Sequence, residues 1–303
     1  MKNKKVSTMK KPLIAVAVSM AFIASAQAEG QFYGKMNVTA EYNDEAEVAT
    51  LESNASRLGV KGSDDLGTSK VIYQAEYEIA VDDGSDVLKQ RDIYIGLEYA
   101  GMGTVKMGNM DTPLKKSQGK FDQFNDVFDM KNVISGDNRE ANSVNYTTEK
   151  MGALQVSAAV VLAEDGSSDG YSANATFKAD ALYAAVAYDT KVGGNESIVR
   201  GTAIYKMGDL SVGALLNQVD SDDVTGDQDE LAYGVSAAMK AGNNTFKAQF
   251  VSGDQKELGA QSASLGADHK LAKTTKAFVY VNQFESDTTD SNVTLALGLE
   301  HKF

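Results

Sequence analysis

Hydrophobic and polar residues alternate along most of this chain, and the alternation begins at residue 31. Within residues 31–42, Phe32 and Val38 occupy one set of alternate positions, whereas Lys35 and Asn37 occupy the other. A two-residue period places successive side chains on opposite faces of a β-strand. The stretch is also long enough to cross a bilayer as a tilted strand, which takes about 9–11 residues.

The same pattern recurs to the end of the chain and predicts about 16 strands. They are residues 31–42, 56–62, 69–81, 89–99, 104–109, 139–147, 154–162, 171–179, 182–188, 198–205, 210–218, 231–239, 245–252, 261–267, 276–283 and 293–303. Short connections, such as residues 206–209, alternate with longer acidic ones, such as residues 219–230. An even strand number with this rhythm of turns and loops is typical of outer-membrane barrels. The pattern therefore predicts an all-β fold, a 16-stranded antiparallel transmembrane β-barrel.

One segment, residues 111–138, neither alternates nor shows a sustained helical stripe. A long irregular insert in a repetitive β protein is usually functional or disordered. We expect this segment to fold into the barrel and to determine which solutes pass through it. The alternative is a mobile surface loop. Its residues Phe121, Phe124 and Phe128 recur at spacings of three and four, which predicts a short amphipathic turn packed on the inner wall. Stacking of these rings on sugar substrates is the alternative.

The first 28 residues have the features of an export signal. Five lysines flank the start of an apolar run at residues 13–24, and a small-residue cleavage site ends at Ala28. The run is too short for a membrane-spanning helix, which needs about 20 residues, and a retained anchor helix is the alternative. Met9 is a second possible start. We predict a cleaved signal peptide at residues 1–28 and a barrel domain at residues 29–303.

Charge and composition narrow the functional classes. The mature chain carries 24 Lys and Arg against 42 Asp and Glu, a formal charge of −18, which argues against nucleic acid as a partner. It has no cysteine, and its histidines are His269 in a turn and His301 at the tail, so no disulfide, zinc or iron site is predicted. No catalytic constellation or cofactor motif is present, and we predict no enzyme. Acidic clusters in the long loops lack Ca²⁺-loop spacing and predict a solvated rim, bridged to lipopolysaccharide by divalent ions.

Several short motifs are each weak alone but occur in a distinctive order. They are Phe32-Tyr33-Gly34-Lys35, Ser56-Arg57-Leu58-Gly59-Val60-Lys61-Gly62, Arg91 before Ile95-Gly96-Leu97, Gly103-Thr104-Val105 with Gly108, Asp111-Thr112-Pro113, Asn142-Ser143-Val144-Asn145-Tyr146 and the terminal Phe303. Together, their order and spacing resemble the Gram-negative trimeric general porins over the whole mature chain.

The resemblance implies that the insert is the third loop, folded inward so that its acidic residues face a ladder of basic side chains across the pore. By position in the motifs, the ladder is Lys35, Arg57, Arg91 and Arg139. The alternation places all of these except Arg91 on the polar face. For the acidic side we choose Asp122 and Asp126, with Asp129 in reserve.

The resemblance also implies a homotrimer in the outer membrane, in contact with outer-membrane lipids and lipopolysaccharide. It implies that Phe303 is read by the outer-membrane assembly machinery; an ordinary interface aromatic is the alternative. Asn109 stands where many relatives carry arginine. Because a missing cation weakens the basic wall of a chain that is already acidic, we expect a mild cation preference.

These observations predict a pore for the passive diffusion of small hydrophilic solutes and ions, without a cofactor or a bound metal. Two alternatives remain open at this point. One is a porin selective for a single sugar or anion class. The other is a structural or adhesive barrel whose lumen is plugged.

Overall fold

The computed structural model describes residues 30–82, 88–220 and 230–303, which form one continuous antiparallel β-sheet. Its strands are β1 (Gln31–Asn43), β2 (Val48–Ser53), β3 (Arg57–Asp65), β4 (Ser69–Ile79), β5 (Leu88–Tyr99), β6 (Gly103–Asp111), β7 (Arg139–Thr147), β8 (Leu154–Val161), β9 (Gly170–Ala179), β10 (Leu182–Val192), β11 (Asn195–Met207), β12 (Leu210–Asp220), β13 (Glu230–Ala241), β14 (Asn244–Gly253), β15 (Ala260–Ala272), β16 (Thr275–Glu285) and β17 (Asn292–Lys302). The predicted signal peptide lies outside the described residues, as does most of the acidic clusters predicted to line the rim.

The sheet closes on itself, because the first strand pairs with the last. In this pairing Val38 of β1 lies opposite Leu299 of β17, and Gly34 exchanges two backbone hydrogen bonds with Phe303. Closure gives every strand of the described residues two neighbours except β2, which pairs with β1 alone, so the sheet has no open edge elsewhere in these residues. This is the condition under which a β-sheet is tolerated in hydrocarbon.

The second strand of the barrel is interrupted, so the 17 strand segments make 16 barrel strands. Both β2 and β3 pair with β1, and the break between them carries Ala55 at a positive φ of 49°. At the break the Ser56 hydroxyl accepts from Asn37 N at 2.9 Å and donates to Asn37 O at 3.1 Å, so it takes the place of a backbone rung. The sequence pattern predicted no strand between residues 42 and 56, which is wrong for β2. The six residues of β2 include Val48, Ala49 and Leu51, but apolar and polar residues do not alternate in it with a two-residue period.

Inward and outward side chains alternate as predicted, and β12 shows it most plainly. Leu215 is 1% exposed and faces the interior, whereas its neighbour Leu216 is 59% exposed on the outer surface. Across the described sheet most outward positions are apolar, and the inward positions include buried polar groups such as Arg200 and Asn217. The barrel thus reverses the usual arrangement of a soluble protein.

The insert occupies residues 112–138 and is called the inner loop below. It contains a short helix, α1 (Pro113–Ser117), and a single 3-10 turn at Met130–Asn132. No helix in the described ranges is long and apolar enough to cross a membrane. Buried apolar side chains of the inner loop form three clusters with inward residues of the wall. The apolar core therefore lies between the inner loop and the barrel wall, and the alternative of a mobile surface loop is wrong.

Short turns join the strands at one end of the barrel, such as residues 148–153 and the turn between β9 and β10. We call this the short-turn end; it also carries Phe303. The inner loop and the longer connections arise at the opposite, long-loop end. In outer-membrane barrels the short turns face the periplasm.

Candidate functional site: the constriction formed by the inner loop

The first part of the inner loop is fixed to the wall by side chains of β9. Thr112 caps α1 by accepting from Lys115 N at 3.1 Å, and Pro113 stands at the start of the helix, where its missing N–H costs nothing. The Leu114 N–H donates to Ser172 Oγ at 3.1 Å, and Asn174 Nδ2 donates to Pro113 O at 2.5 Å. Polar groups that would otherwise be buried without a partner therefore hold α1 against the wall.

The middle of the inner loop is held by two phenylalanine rings that are fully buried. Phe121 packs where Gly213 and Gly234 leave the wall without side chains: a Cβ on Gly234 would lie 2.6 Å from the ring. Phe124 meets Tyr280 edge-on, with ring centroids 5.0 Å apart, beside Gly266. The structure confirms packing on the inner wall for these two rings and leaves neither free to stack on a sugar.

This packing makes a direct prediction for Gly234→Val. The added side chain occupies the space of the Phe121 ring, so we expect about 1–3 kcal/mol of destabilisation, concentrated in the docking of the inner loop. Limited proteolysis within the inner loop measures the loss of docking. The barrel's resistance to heat in detergent shows whether the rest of the molecule is affected. Gly201→Val is the matched control, because a Cβ at Gly201 meets nothing within 4 Å. Equal protease resistance of the two variants would contradict the docking described here.

Asp122 was chosen from the sequence as a pore-facing acid, but its side chain points into the inner loop. Its carboxylate accepts from Phe124 N at 3.0 Å, Met130 N at 3.0 Å and Gln249 Nε2 at 3.1 Å. Burial, and then the negative charge of Asp129, raise the pKa of Asp122 to about 7. Asp122 thus ties two turns of the inner loop to β14, and it does not meet the predicted basic residues.

The last part of the inner loop is fixed by Arg200, which is fully buried on β11. Its guanidinium donates to Ser135 O at 2.5 Å and to Asn217 Oδ1 at 2.8 Å. Gln255 completes the network by accepting from Ser135 N at 3.0 Å and from Asn217 Nδ2 at 2.8 Å. Nothing in the alternation of β11 distinguished Arg200 from the cations of the predicted ladder, and the sequence analysis missed it.

The structure brings together three of the six predicted constriction residues. Lys35 and Arg57 lie directly opposite each other in the pairing of β1 with β3. Asp126 of the inner loop reaches both: its Oδ2 is 2.5 Å from Lys35 Nζ and 3.5 Å from Arg57 Nη2. Burial alone would raise the pKa of Asp126, but the charges of Lys35 and Arg57 outweigh it and hold that pKa below the ordinary value.

Arg91 also faces the interior, although the sequence alternation placed it with outward residues. Between Gln90 and Ile93 the strand β5 carries one more residue than its partner segment of β4, which is a β-bulge. The bulge reverses the facing of Arg91, whose guanidinium then meets Glu76 at 2.6 Å and Glu78 at 2.7 Å.

Arg139 begins β7 at the point where the inner loop ends. Its guanidinium lies 2.7 Å from Asp92 and 2.7 Å from Asp111, and Lys115 of α1 contacts the same Asp111 at 3.3 Å. The basic wall is therefore interleaved with carboxylates from the wall itself, rather than facing acids of the inner loop alone. This differs from the simple ladder that the resemblance implied.

A cavity of about 470 Å³ opens between the inner loop and the wall, toward the long-loop end. The wall contributes Glu78, Lys89, Arg91, Asn109 and Arg139, among others, and the inner loop contributes Lys115, Asp126, Lys131 and Asp137. Asn109 is engaged by the backbone, since its Nδ2 donates to Arg91 O at 2.7 Å. In the part of the chain that the structure describes, no group of three or more His, Cys, Asp or Glu is placed to hold a metal ion.

A closed barrel of 16 strands whose interior is narrowed by a charged loop defines an outer-membrane diffusion channel. The sequence model of the Gram-negative porin family matches residues 13–289, and the chain belongs to this family. It is an outer-membrane porin that acts as a diffusion pore in the Gram-negative cell outer membrane. The fold, the family and the location predicted from the sequence are thereby confirmed.

Individual relatives support the same assignment. The chain is 28% identical to outer membrane porin protein 32 of Delftia acidovorans over 310 residues, which cover 89% of this chain and 88% of the relative. Among solved structures, it is similar to the anion-selective porin from Comamonas acidovorans, with a TM-score of 0.80 and 21% identity over 91% of this chain and 100% of that one. It is also similar to OmpT of Vibrio cholerae in its trimer form, with a TM-score of 0.71 and 16% identity over 91% and 100% of the two chains.

Proposed function

We propose that small hydrophilic solutes pass through the gap between the inner loop and the wall that carries Arg91 and Arg139, and that Asp126 bounds this gap. The observation that supports this most directly is the contact of Asp126 with Lys35 and Arg57, which brings the inner loop to the basic wall. Fixed charges at such a gap orient polar solutes and disfavour apolar ones, because an apolar molecule must displace ordered water there. We propose that this transport is passive and involves no catalysed reaction.

We further propose that the pore prefers anions, rather than the mild cation preference expected from overall charge. Selectivity depends on the charges that line the path, and most carboxylates of the chain lie elsewhere. The 470 Å³ cavity is lined by five basic residues and three acidic ones. The basic residues are Lys89, Arg91, Lys115, Lys131 and Arg139, and the acidic ones are Glu78, Asp126 and Asp137. The anion selectivity stated for the Comamonas acidovorans porin, a similar barrel, agrees with this proposal.

We propose a homotrimer as the assembled form, in contact with outer-membrane lipids and lipopolysaccharide. The trimer form of the Vibrio cholerae relative supports it. The C-terminal Phe303 remains our candidate for recognition by the assembly machinery. Its ring lies 6.3 Å from that of Phe32, on a side chain that is 50% exposed.

Planar-bilayer recordings of the purified protein test the function. We expect large open steps in KCl. Block by one particular sugar would instead favour a substrate-selective porin, and silence would favour a plugged barrel. Migration on gels with and without heating tests the trimer.

Arg57→Ala and Arg139→Ala test the role of the constriction charges. We expect each variant to shift the reversal potential in a KCl gradient toward cations, because a cation that lines the path is lost. Each ion pair is partly solvated and contributes only about 0–1 kcal/mol, so the barrel's resistance to heat is expected to stay close to that of the wild type. Lys206→Ala, at an exposed position of β11, is the control. Unchanged conductance and selectivity in both arginine variants would place the solute path elsewhere.

A further inference from the structure

On the other side of the inner loop, toward the short-turn end, lies a second cavity of about 590 Å³ with an unusual lining. Four lysines and no carboxylate line it: Lys106, Lys116, Lys150 and Lys178. They come from four separate places, namely β6, α1, the turn after β7 and the end of β9. We call this cavity the lysine basin. The constriction described above contributes none of these residues.

The four ammonium groups are free of ion pairs with any carboxylate in the described ranges. Lys106 lies over the ring of Tyr94, at 4.2 Å from its centroid, and close enough to Lys116 for their charges to repel. Asp92 and Asp111 act on these lysines, but both carboxylates are bound by Arg139 at 2.7 Å. Glu98 also acts on Lys106. The basin therefore carries a local excess of positive charge.

The neutral groups of the basin are largely occupied, so they do not compete for a ligand. Tyr183 OH donates to Ser117 O at 2.9 Å, Gln155 Nε2 donates to Thr148 O at 2.9 Å, and Asn174 is bound to Pro113. The four ammonium groups therefore remain available to bind a ligand. Lysine binds oxyanions as a mobile point charge with three donors, and several lysines around one cavity favour a ligand of more than one negative charge.

We infer that the lysine basin is a binding site for small polyvalent oxyanions, such as inorganic phosphate, placed between the constriction and the periplasm. This rests on the proposed diffusion pore and deepens it by naming a solute class. An anion held in the basin lies in the path of other ions. Phosphate is therefore expected to reduce chloride current, with saturation, and more strongly than a monovalent anion at equal ionic strength.

The test uses the full-length mature protein in planar bilayers with KCl on both sides, and potassium phosphate added at pH 7.5. We expect saturable block by phosphate, and a half-blocking concentration at least tenfold higher in the variant K106Q/K116Q/K150Q/K178Q. The control K206Q/K240Q removes two exposed lysines that do not line the basin and is expected to match the wild type. Should the quadruple variant fail to assemble, K150Q/K178Q, at exposed positions of the short-turn end, is expected to give part of the same shift.

The outcomes separate the two claims. Open channels that phosphate does not block, or blocks equally in the wild type and the lysine variants, would overturn the lysine basin and leave the pore intact. An absence of channels in every preparation would overturn the proposed pore and the basin with it. Nitrate that blocks as strongly as phosphate would also overturn the preference for polyvalent anions.

Discussion

Replacing Arg200 by methionine is expected to raise amide hydrogen exchange at residues 133–135 by about 10–100-fold. A hydrogen bond to a charged group contributes about 1.5–3 kcal/mol, and each 1.4 kcal/mol is a factor of ten. Arg200 donates to Ser135 O and to Asn217 Oδ1, and its loss removes both contacts, whereas Asp137 keeps its ion pair with Lys115 at 3.1 Å. Exchange measured by mass spectrometry on the detergent-solubilised protein reads this out directly.

The effect should be local, which gives the experiment a sharp control. Lys206→Met makes the same chemical change on the same strand, β11, but at an exposed side chain, and it is expected to leave exchange unaltered. In Arg200→Met the strand amides should keep their protection while the inner loop loses it. Noisier single-channel currents should accompany the change. Equal loss of protection throughout the barrel would mean that Arg200 supports the sheet rather than the inner loop.

Replacing Asp126 by asparagine is expected to raise the permeability ratio of chloride to potassium by up to about 25-fold. A unit charge about 4 Å from an ion in a water-filled lumen acts on it with about 1 kcal/mol, or about fivefold, and it acts with opposite sign on chloride and potassium, so that the two factors multiply in the ratio. Asparagine keeps the shape of the side chain but leaves Lys35 without its carboxylate partner and Arg57 with Glu76 alone, at 3.8 Å. Reversal potentials in a tenfold KCl gradient measure the ratio.

Acid should reproduce this change only well below neutrality. The pKa of Asp126 is held below its ordinary value. The carboxylate therefore stays charged at any pH above this lowered pKa and is neutralised only as the pH falls through it. We therefore expect the contribution of Asp126 to selectivity to be constant from pH 7 to pH 5. Asp209→Asn, in the turn after β11, is the control for the substitution. A permeability ratio unchanged in Asp126→Asn would show that Asp126 does not bound the ion path.

The sequence predicted the barrel well, because its physical signal is repeated in every strand. A two-residue period over many segments leaves one consistent solution, in which apolar residues such as Leu216 face outward and polar ones such as Asn217 face inward. The insert was equally recognisable, since residues 111–138 break that period. The segment that was missed, β2, is only six residues long, and its apolar residues Val48, Ala49 and Leu51 do not fall on alternate positions.

The candidate site was less accessible to sequence reasoning, for reasons that particular residues show. Arg91 departs from its strand's alternation because a bulge reverses its facing, and a one-residue bulge leaves no clear signature in a single sequence. Asp122 and Asp126 stand four residues apart in an irregular loop, and only the path of the backbone decides which one meets Lys35. Arg200 resembles a pore-lining cation until its partner, a backbone carbonyl of the inner loop, is known.

The contacts of the inner loop also impose an order on how the molecule takes shape. Its anchors lie on strands from β9 onward, whereas Asp126 reaches across to Lys35 and Arg57 on the other side of the β1–β17 seam. Joining segments that lie so far apart in the sequence costs conformational entropy. This cost is offset only when β1 pairs with β17 and many contacts form together. A partly assembled barrel therefore lacks the constriction, which forms only when β1 pairs with β17 and closes the barrel.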